Sequence, residues 1–178
     1  ELKPTPGSLR FNQDFATLEF YTGNYWATVN TFTEMQNSPS NRGRGFFMGG
    51  FGPAGSGRHL SIDYINIQTQ GNATNFGDLL STTVGTGNEG SMGCGNEIRG
   101  VIGGGNGPSA QCPYIQYITT ASEGDAINFG DLSQTRFRGS AIASSTRGIF
   151  GAGRTPSSVN TLDYVQIMTL GNAIDFGD

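Results

Sequence analysis

The chain has 178 residues, with 29 glycines, seven prolines and a charged fraction of 13%, about half the usual charged share. So many helix breakers exclude a helical bundle or coiled coil. A net charge of −4 with Lys3 as the one lysine excludes a basic face for nucleic acid, and no apolar run reaches the roughly 18 residues that a membrane span needs. Aromatic residues at 11%, twelve of them Phe, suffice for a core, so the glycines read as tight β turns rather than disorder. The chain starts at Glu1 with no signal peptide, and we expect a processed chain or a piece of a longer one.

The first predicted elements are three short strands. They cover Gly7-Ser8-Leu9-Arg10-Phe11-Asn12, then Thr17-Leu18-Glu19-Phe20-Tyr21, then Tyr25-Trp26-Ala27-Thr28-Val29. Thr22-Gly23-Asn24 is the hairpin turn between the last two. Alternation puts Leu18 and Phe20 on one face, and Glu19 and Tyr21 on the other. Such a meander is too small to build a core alone, so it must oligomerise or dock on the rest of the chain. Residues 30 to 43 read as a linker and close an amino-terminal segment, 1–43.

Residues 44–178 form a repeat region. The stretches 60–78, 113–131 and 160–178 align without a gap. Tyr64, Tyr117 and Tyr164 coincide, as do Gly71, Gly124 and Gly171, and Phe76, Phe129 and Phe176. Each stretch closes on Gly-Asp, at Asp78, Asp131 and Asp178. Before each lies an Arg-Gly block, starting at Arg44, Arg99 and Arg147, with spacings of 55 and 48 residues. The Arg-Gly block reads as a buried strand closed by glycines, and Ile62–Thr69 and its equivalents as a half-buried strand around Tyr. After a Gly-Asn or Gly-Asp turn comes a short Ala-x-Asn/Asp-Phe strand. The predicted repeats run near 44–98, 99–146 and 147–178, the last incomplete.

Residues 79–84 and 132–143 then lead to the next Arg-Gly block, which gives four short strands in about 50 residues with no room for a helix, as a β-propeller blade requires. The expected fold is therefore all-β: a short meander, then about three four-stranded repeats. Because a ring needs 4 to 8 blades, a truncated chain, completion by several chains, and another mode of stacking all remain open. Cys94 and Cys112 flank one predicted strand; a disulfide between them and two buried thiols are both compatible with the spacing.

Two resemblances cover nearly the whole chain. The pattern Gly-Ser-Leu-Arg-Phe-Asn, then Leu-Glu-Phe-Tyr-Thr-Gly-Asn-Tyr-Trp, resembles a β motif of phage tail fibres and other virion appendages, where it lies near an attachment or trimerisation segment. The Arg-Gly and double-Gly strand resembles that of kelch repeats, without the kelch tryptophan. The repeats together resemble arrays in tail-fibre proteins of phages from aquatic bacteria. Gln116, in place of Asp63 and Asp163, and Asp125, in place of Asn72 and Asn172, depart from the pattern.

No residue set points to catalysis or to a cofactor. His59, the one histidine, sits in a Gly/Ser/Arg loop, and no serine lies in a nucleophile elbow. Asp63, Asp78, Asp131 and Asp163 recur with the repeat, which reads as turn or cap chemistry, since a catalytic carboxylate pair occurs once. The Gly-Asn/Asp blocks have too few charged ligands for calcium, and no Cys/His cluster suits zinc. Gly103-Gly104-Gly105-Asn106-Gly107 lacks the Lys and helix of a phosphate loop. Tyr21, Tyr25 and Trp26 are the weak candidates for stacking on a sugar. The recurring arginines are expected to pair with a repeat-equivalent Asp or to cap carbonyls, and the recurring tyrosines to make core or blade-to-blade contacts.

What the resemblances imply is a structural, non-enzymatic subunit of a virion tail appendage, extracellular and homo-oligomeric, most simply trimeric. Its partners would be its own copies, other tail proteins and a host-surface glycan or protein. A capsid decoration or filament-forming protein, and a secreted bacterial surface-binding module, are the alternatives. An enzyme on a propeller scaffold would need two unrepeated acids in one cleft.

Overall fold

The computed structural model describes residues 4–12, 17–29, 43–52, 57–80, 89–107 and 110–178. All regular structure in them is β. The chain divides into two compact units, Glu1–Ser38 and Pro39–Asp178. The linker expected at 30–43 lies, apart from Gly43, outside the described residues.

The first unit is an antiparallel meander of β1 (Leu9–Asn12), β2 (Thr17–Tyr21) and β3 (Trp26–Thr28), in that order. Its turn is held by Thr22, whose amide donates to Tyr25 O at 2.9 Å and whose hydroxyl does so at 3.0 Å. Gly23 sits there at φ +106°, where a side chain would be strained. The register pairs Leu9 with Phe20 and Phe11 with Leu18. All four apolar side chains therefore fall on one face, and all four are exposed.

The second unit is a series of small antiparallel sheets, one for each sequence repeat. The first contains β4 (Arg44–Met48), β5 (Ser61–Asn66) and β6 (Thr74–Asp78). The second contains β7 (Met92–Gly95), β8 (Arg99–Gly103), β9 (Tyr114–Thr119) and β10 (Ile127–Asp131). The third is formed by β11 (Ser140–Ala143), β12 (Arg147–Gly151), β15 (Leu162–Gln166) and β16 (Ile174–Gly177). A two-stranded hairpin, β13 (Arg154–Thr155) and β14 (Ser157–Ser158), fills the loop after β12.

The sheets are out of phase with the repeats as read from the sequence. In the second and third repeats the strand preceding the Arg-Gly block belongs to the same sheet as that block, pairing Cys94 with Val101 and Ile142 with Ile149. The third sheet therefore has four strands rather than stopping short. The reason is that β7, Met-Gly-Cys-Gly, and β11, Ser-Ala-Ile-Ala, share no motif, so only the pairing reveals them.

Each final strand is bulged at the recurring phenylalanine. In the first sheet Asp63 pairs with Asn75 and Ile62 with Gly77, leaving Phe76 as the extra residue; Phe129 and Phe176 sit likewise. A bulge re-aims a side chain, and here it brings Phe edge-on to Tyr, with ring centroids 6.0, 6.1 and 5.9 Å apart in the three sheets.

Two cores lie between successive sheets. Ile62, Phe76 and Leu79 of the first repeat meet Ile102, Ile118 and Ala126 of the second. Val101, Ile115 and Phe129 of the second meet Phe150, Val165 and Ile167 of the third. Alternation along each strand supplies both faces, which is why the second repeat is apolar on both sides.

Candidate binding surface

The recurring residues form one device, built three times. Arg44 lies 4.9 Å over the Tyr64 ring, Arg99 4.4 Å over Tyr117, and Arg147 5.1 Å over Tyr164. The strand register places each arginine near its tyrosine, and the bulged phenylalanine closes the other edge. A guanidinium on an aromatic face is oriented as well as stabilised. Its outer nitrogen reaches the next repeat: Arg44 Nη1 donates to Thr120 O at 2.8 Å, and Arg99 Nη1 to Ile167 O at 3.1 Å. Thr120 and Ile167 hold equivalent positions in their repeats. Of the two expected uses of these arginines, carbonyl capping is the one found.

The Gly-Asn/Asp turns form a second joint. Gly124 N donates to Phe76 O and Ala126 N to Asp78 O, both at 2.8 Å; Gly171 N and Ala173 N repeat this on Phe129 O and Asp131 O, at 2.9 and 2.8 Å. The side chain at the turn accepts from the strand: Asp125 Oδ1 takes the Asp78 amide at 2.9 Å, and Asn172 Oδ1 the Asp131 amide at 3.1 Å. Asp125 departs from the repeat pattern without changing the joint, because Asn and Asp both offer an oxygen.

The other departure is explained in the same way. Gln116 Oε1 accepts from Leu80 N at 2.7 Å, and Asp163 Oδ2 from Ser133 N at 3.1 Å. Both side chains are buried and both tie down the segment that leaves the previous repeat. Asp163 additionally meets Arg136, whose Nη2 lies 2.8 Å away, with neither side chain exposed. Arg136 also donates to Thr161 O at 2.8 Å and to Phe150 O at 3.1 Å. Burial pulls this guanidinium below its ordinary pKa, and the Asp163 charge opposes the pull. Sequence reading missed Arg136 because it lies outside the recurring blocks.

Of the sugar-stacking candidates, Tyr21 and Trp26 pair across β2 and β3 with ring centroids 5.3 Å apart. Arg10 lies 4.3 Å over Trp26 and donates from Nε to Glu19 at 2.7 Å, and Asn12 donates to Glu19 at 3.0 Å. These hydrogen bonds, Arg10 first, hold the Glu19 carboxyl below its usual value. Trp26 is thus engaged within the sheet, while Tyr25 at the turn is the exposed ring.

In the second unit, a cleft of about 500 Å³ lies between neighbouring hairpin turns, lined by Gly95–Ile98 and Ala143–Ser145. Asn96 Nδ2 bridges it to Ser145 O at 2.8 Å. Its lining mixes the polar Asn96, Glu97, Ser144 and Ser145 with the apolar Ile98 and Ala143, and holds no aromatic ring. Glu89 ties Arg58 and Arg138 together at 3.2 and 3.0 Å. His59 is an exposed loop residue. Among the described residues, no three His, Cys, Asp or Glu side chains converge on a common point.

Cys94 and Cys112 are thiols rather than a disulfide. Cys94 Sγ packs where a side chain at Gly148 would stand, and burial pushes its pKa up to about 11. No protein-family model matches the chain, and no curated protein matches it.

Proposed function

We propose that this chain is a structural, non-enzymatic subunit of a virion tail appendage, homo-oligomeric through its amino-terminal meander and presenting the repeat loops to a host-surface glycan or protein. The observation that carries this reading is the bare apolar face formed by Leu9, Phe11, Leu18 and Phe20. A three-stranded sheet cannot hold such a face in water by itself, and its residues belong to the motif that resembles a β motif of tail fibres lying near an attachment or trimerisation segment. A trimer covers the face with its own copies. Many weak loop contacts then add through multivalency, with other tail proteins as the remaining partners. A filament-forming structural protein is the second reading, favoured by the open repeat ends described below.

Native mass spectrometry of the purified chain tests the proposal. With Ile67→Asp in every sample to keep the repeat ends of separate copies apart, the expected result is a trimer that Phe11→Asp with Phe20→Asp converts to monomer, while the far-ultraviolet signal of the repeats is retained. A parent mass that these two substitutions leave unchanged overturns the trimeric-appendage reading.

A further inference from the structure

The joints inside the molecule define what its two ends lack. Each repeat has a leading face, which carries Arg, Tyr and the bulged Phe, and a trailing face, which receives them. The second repeat has both faces covered. The third repeat presents a bare leading face: Phe176 is 50% exposed, whereas Phe76 and Phe129 are 3% exposed. Ile142, which occupies the position of Cys94, is 67% exposed. The first repeat presents a bare trailing face: Ile67 is 67% exposed, whereas its equivalents Thr120 and Ile167 are fully buried. Phe47 is 60% exposed, whereas its equivalents Ile102 and Phe150 are buried.

The polar groups of the joints are left over in matching sets. On the leading face, Arg147 sits on Tyr164 as Arg44 and Arg99 sit on theirs. The edge of β16 carries the Phe176 carbonyl and the Asp178 amide, equivalents of groups that are bonded at the two internal joints. On the trailing face, Gly71 N, Ala73 N and the Asn72 side chain hold the positions whose equivalents complete those joints. Close approach is provided for as well. A Cβ at Gly77 or Gly130 would collide with the carbonyl of Gly124 or Gly171, whereas beside Gly177 the space is open.

We propose that the leading face of the third repeat docks on the trailing face of the first repeat of a second copy of this chain, head to tail, in the register of the two internal joints. The occupant follows from continuity with those joints. Each open face is the structural equivalent of one half of an interface the molecule already makes, and this chain carries both halves. Among the described residues of the second unit neither face is filled, and a second copy of the chain offers the matching half to each. The contact is heterologous, and repetition of such a contact gives a ring or a filament.

Sedimentation velocity tests this on the full chain. Every sample carries Phe20→Asp, so that association through the meander does not contribute. Average mass is expected to rise with concentration. Ile67→Asp blocks the trailing face and Ile142→Asp the leading face; each alone is expected to be monomeric. Their equimolar mixture is expected to form a dimer and nothing larger, because one open face of each kind survives. Phe47→Asp serves as a second trailing-face variant, and thermal melting checks that each variant is folded. Arg147→Ala is expected to weaken association roughly ten- to a hundredfold, the effect of losing one charge-assisted hydrogen bond. A parent chain that stays monomeric throughout, growth that neither face variant stops, or a mixture that fails to dimerise overturns the proposal.

Discussion

In the meander, Arg10 lies 4.3 Å over the Trp26 ring; in the second repeat, Arg99 lies 4.4 Å over the Tyr117 ring. Both sheets are antiparallel and carry apolar side chains, and both turn through glycine. Yet Leu9, Phe11, Leu18 and Phe20 of the meander are exposed, whereas Val101, Ile102, Ile115 and Ile118 of the second repeat are buried. The difference lies in the neighbours. The second repeat has a sheet on each side, and its arginine ends on the carbonyl of one of them. The arginine of the meander ends on a glutamate of its own sheet. Local pattern thus makes a sheet and orients its cation, while coverage is supplied from outside.

The largest expected effect separates covered from uncovered copies of one residue. Phe129→Ala should destabilise the repeat unit by about 3–5 kcal/mol, the usual cost of emptying a buried aromatic site. Phe176→Ala, at the half-exposed equivalent, should cost under about 1 kcal/mol. Urea unfolding of the two variants reads the difference, and equal losses would mean that the end repeat is covered as well as the middle one.

A smaller effect is expected at the glycines of the joints. Gly130→Ala and Gly177→Ala share a backbone cost, since both residues have positive φ. Gly130→Ala alone also forces a methyl group into the Gly171 carbonyl, which should add about 1–3 kcal/mol. The gap in midpoint between the two variants measures how tightly the sheets meet.

The smallest effect concerns the meander. Arg10 and Asn12 hold the Glu19 carboxyl below its ordinary value of 4.5, so its charged form is favoured by folding. That contribution is fully present above 4.5 and is lost as pH falls through the lower folded value. Acidification should therefore loosen the meander, and Glu19→Gln should flatten this response. Trp26, the one tryptophan of the chain, reports it by fluorescence; an unchanged acid transition in the variant would remove Glu19 from the account.

The all-β class, the three strands of the meander and the recurrence of Arg, Tyr, Phe and Gly were legible in the residues. Alternation with period two and glycine at turns act over a few neighbours, so a linear reading captures them. The roles of the recurring arginines were legible only as a choice between Asp and carbonyl, because Thr120 and Ile167 accept through backbone groups that leave no mark in the sequence. Gln116 and Asp125 read as departures until their partners were seen. Only then is it plain that each position requires a side-chain oxygen rather than a particular residue.

The sequence by itself determined the recurring strands and their turns, since these depend on side-chain alternation and backbone sterics within short segments. Tertiary structure alone decided that β7 and β11 complete their sheets, that Arg136 and Asp163 meet in the interior, and which of three equivalent phenylalanines is left in solvent. Those outcomes depend on what stands across a gap from each residue, and burial is a property of the pair rather than of either segment.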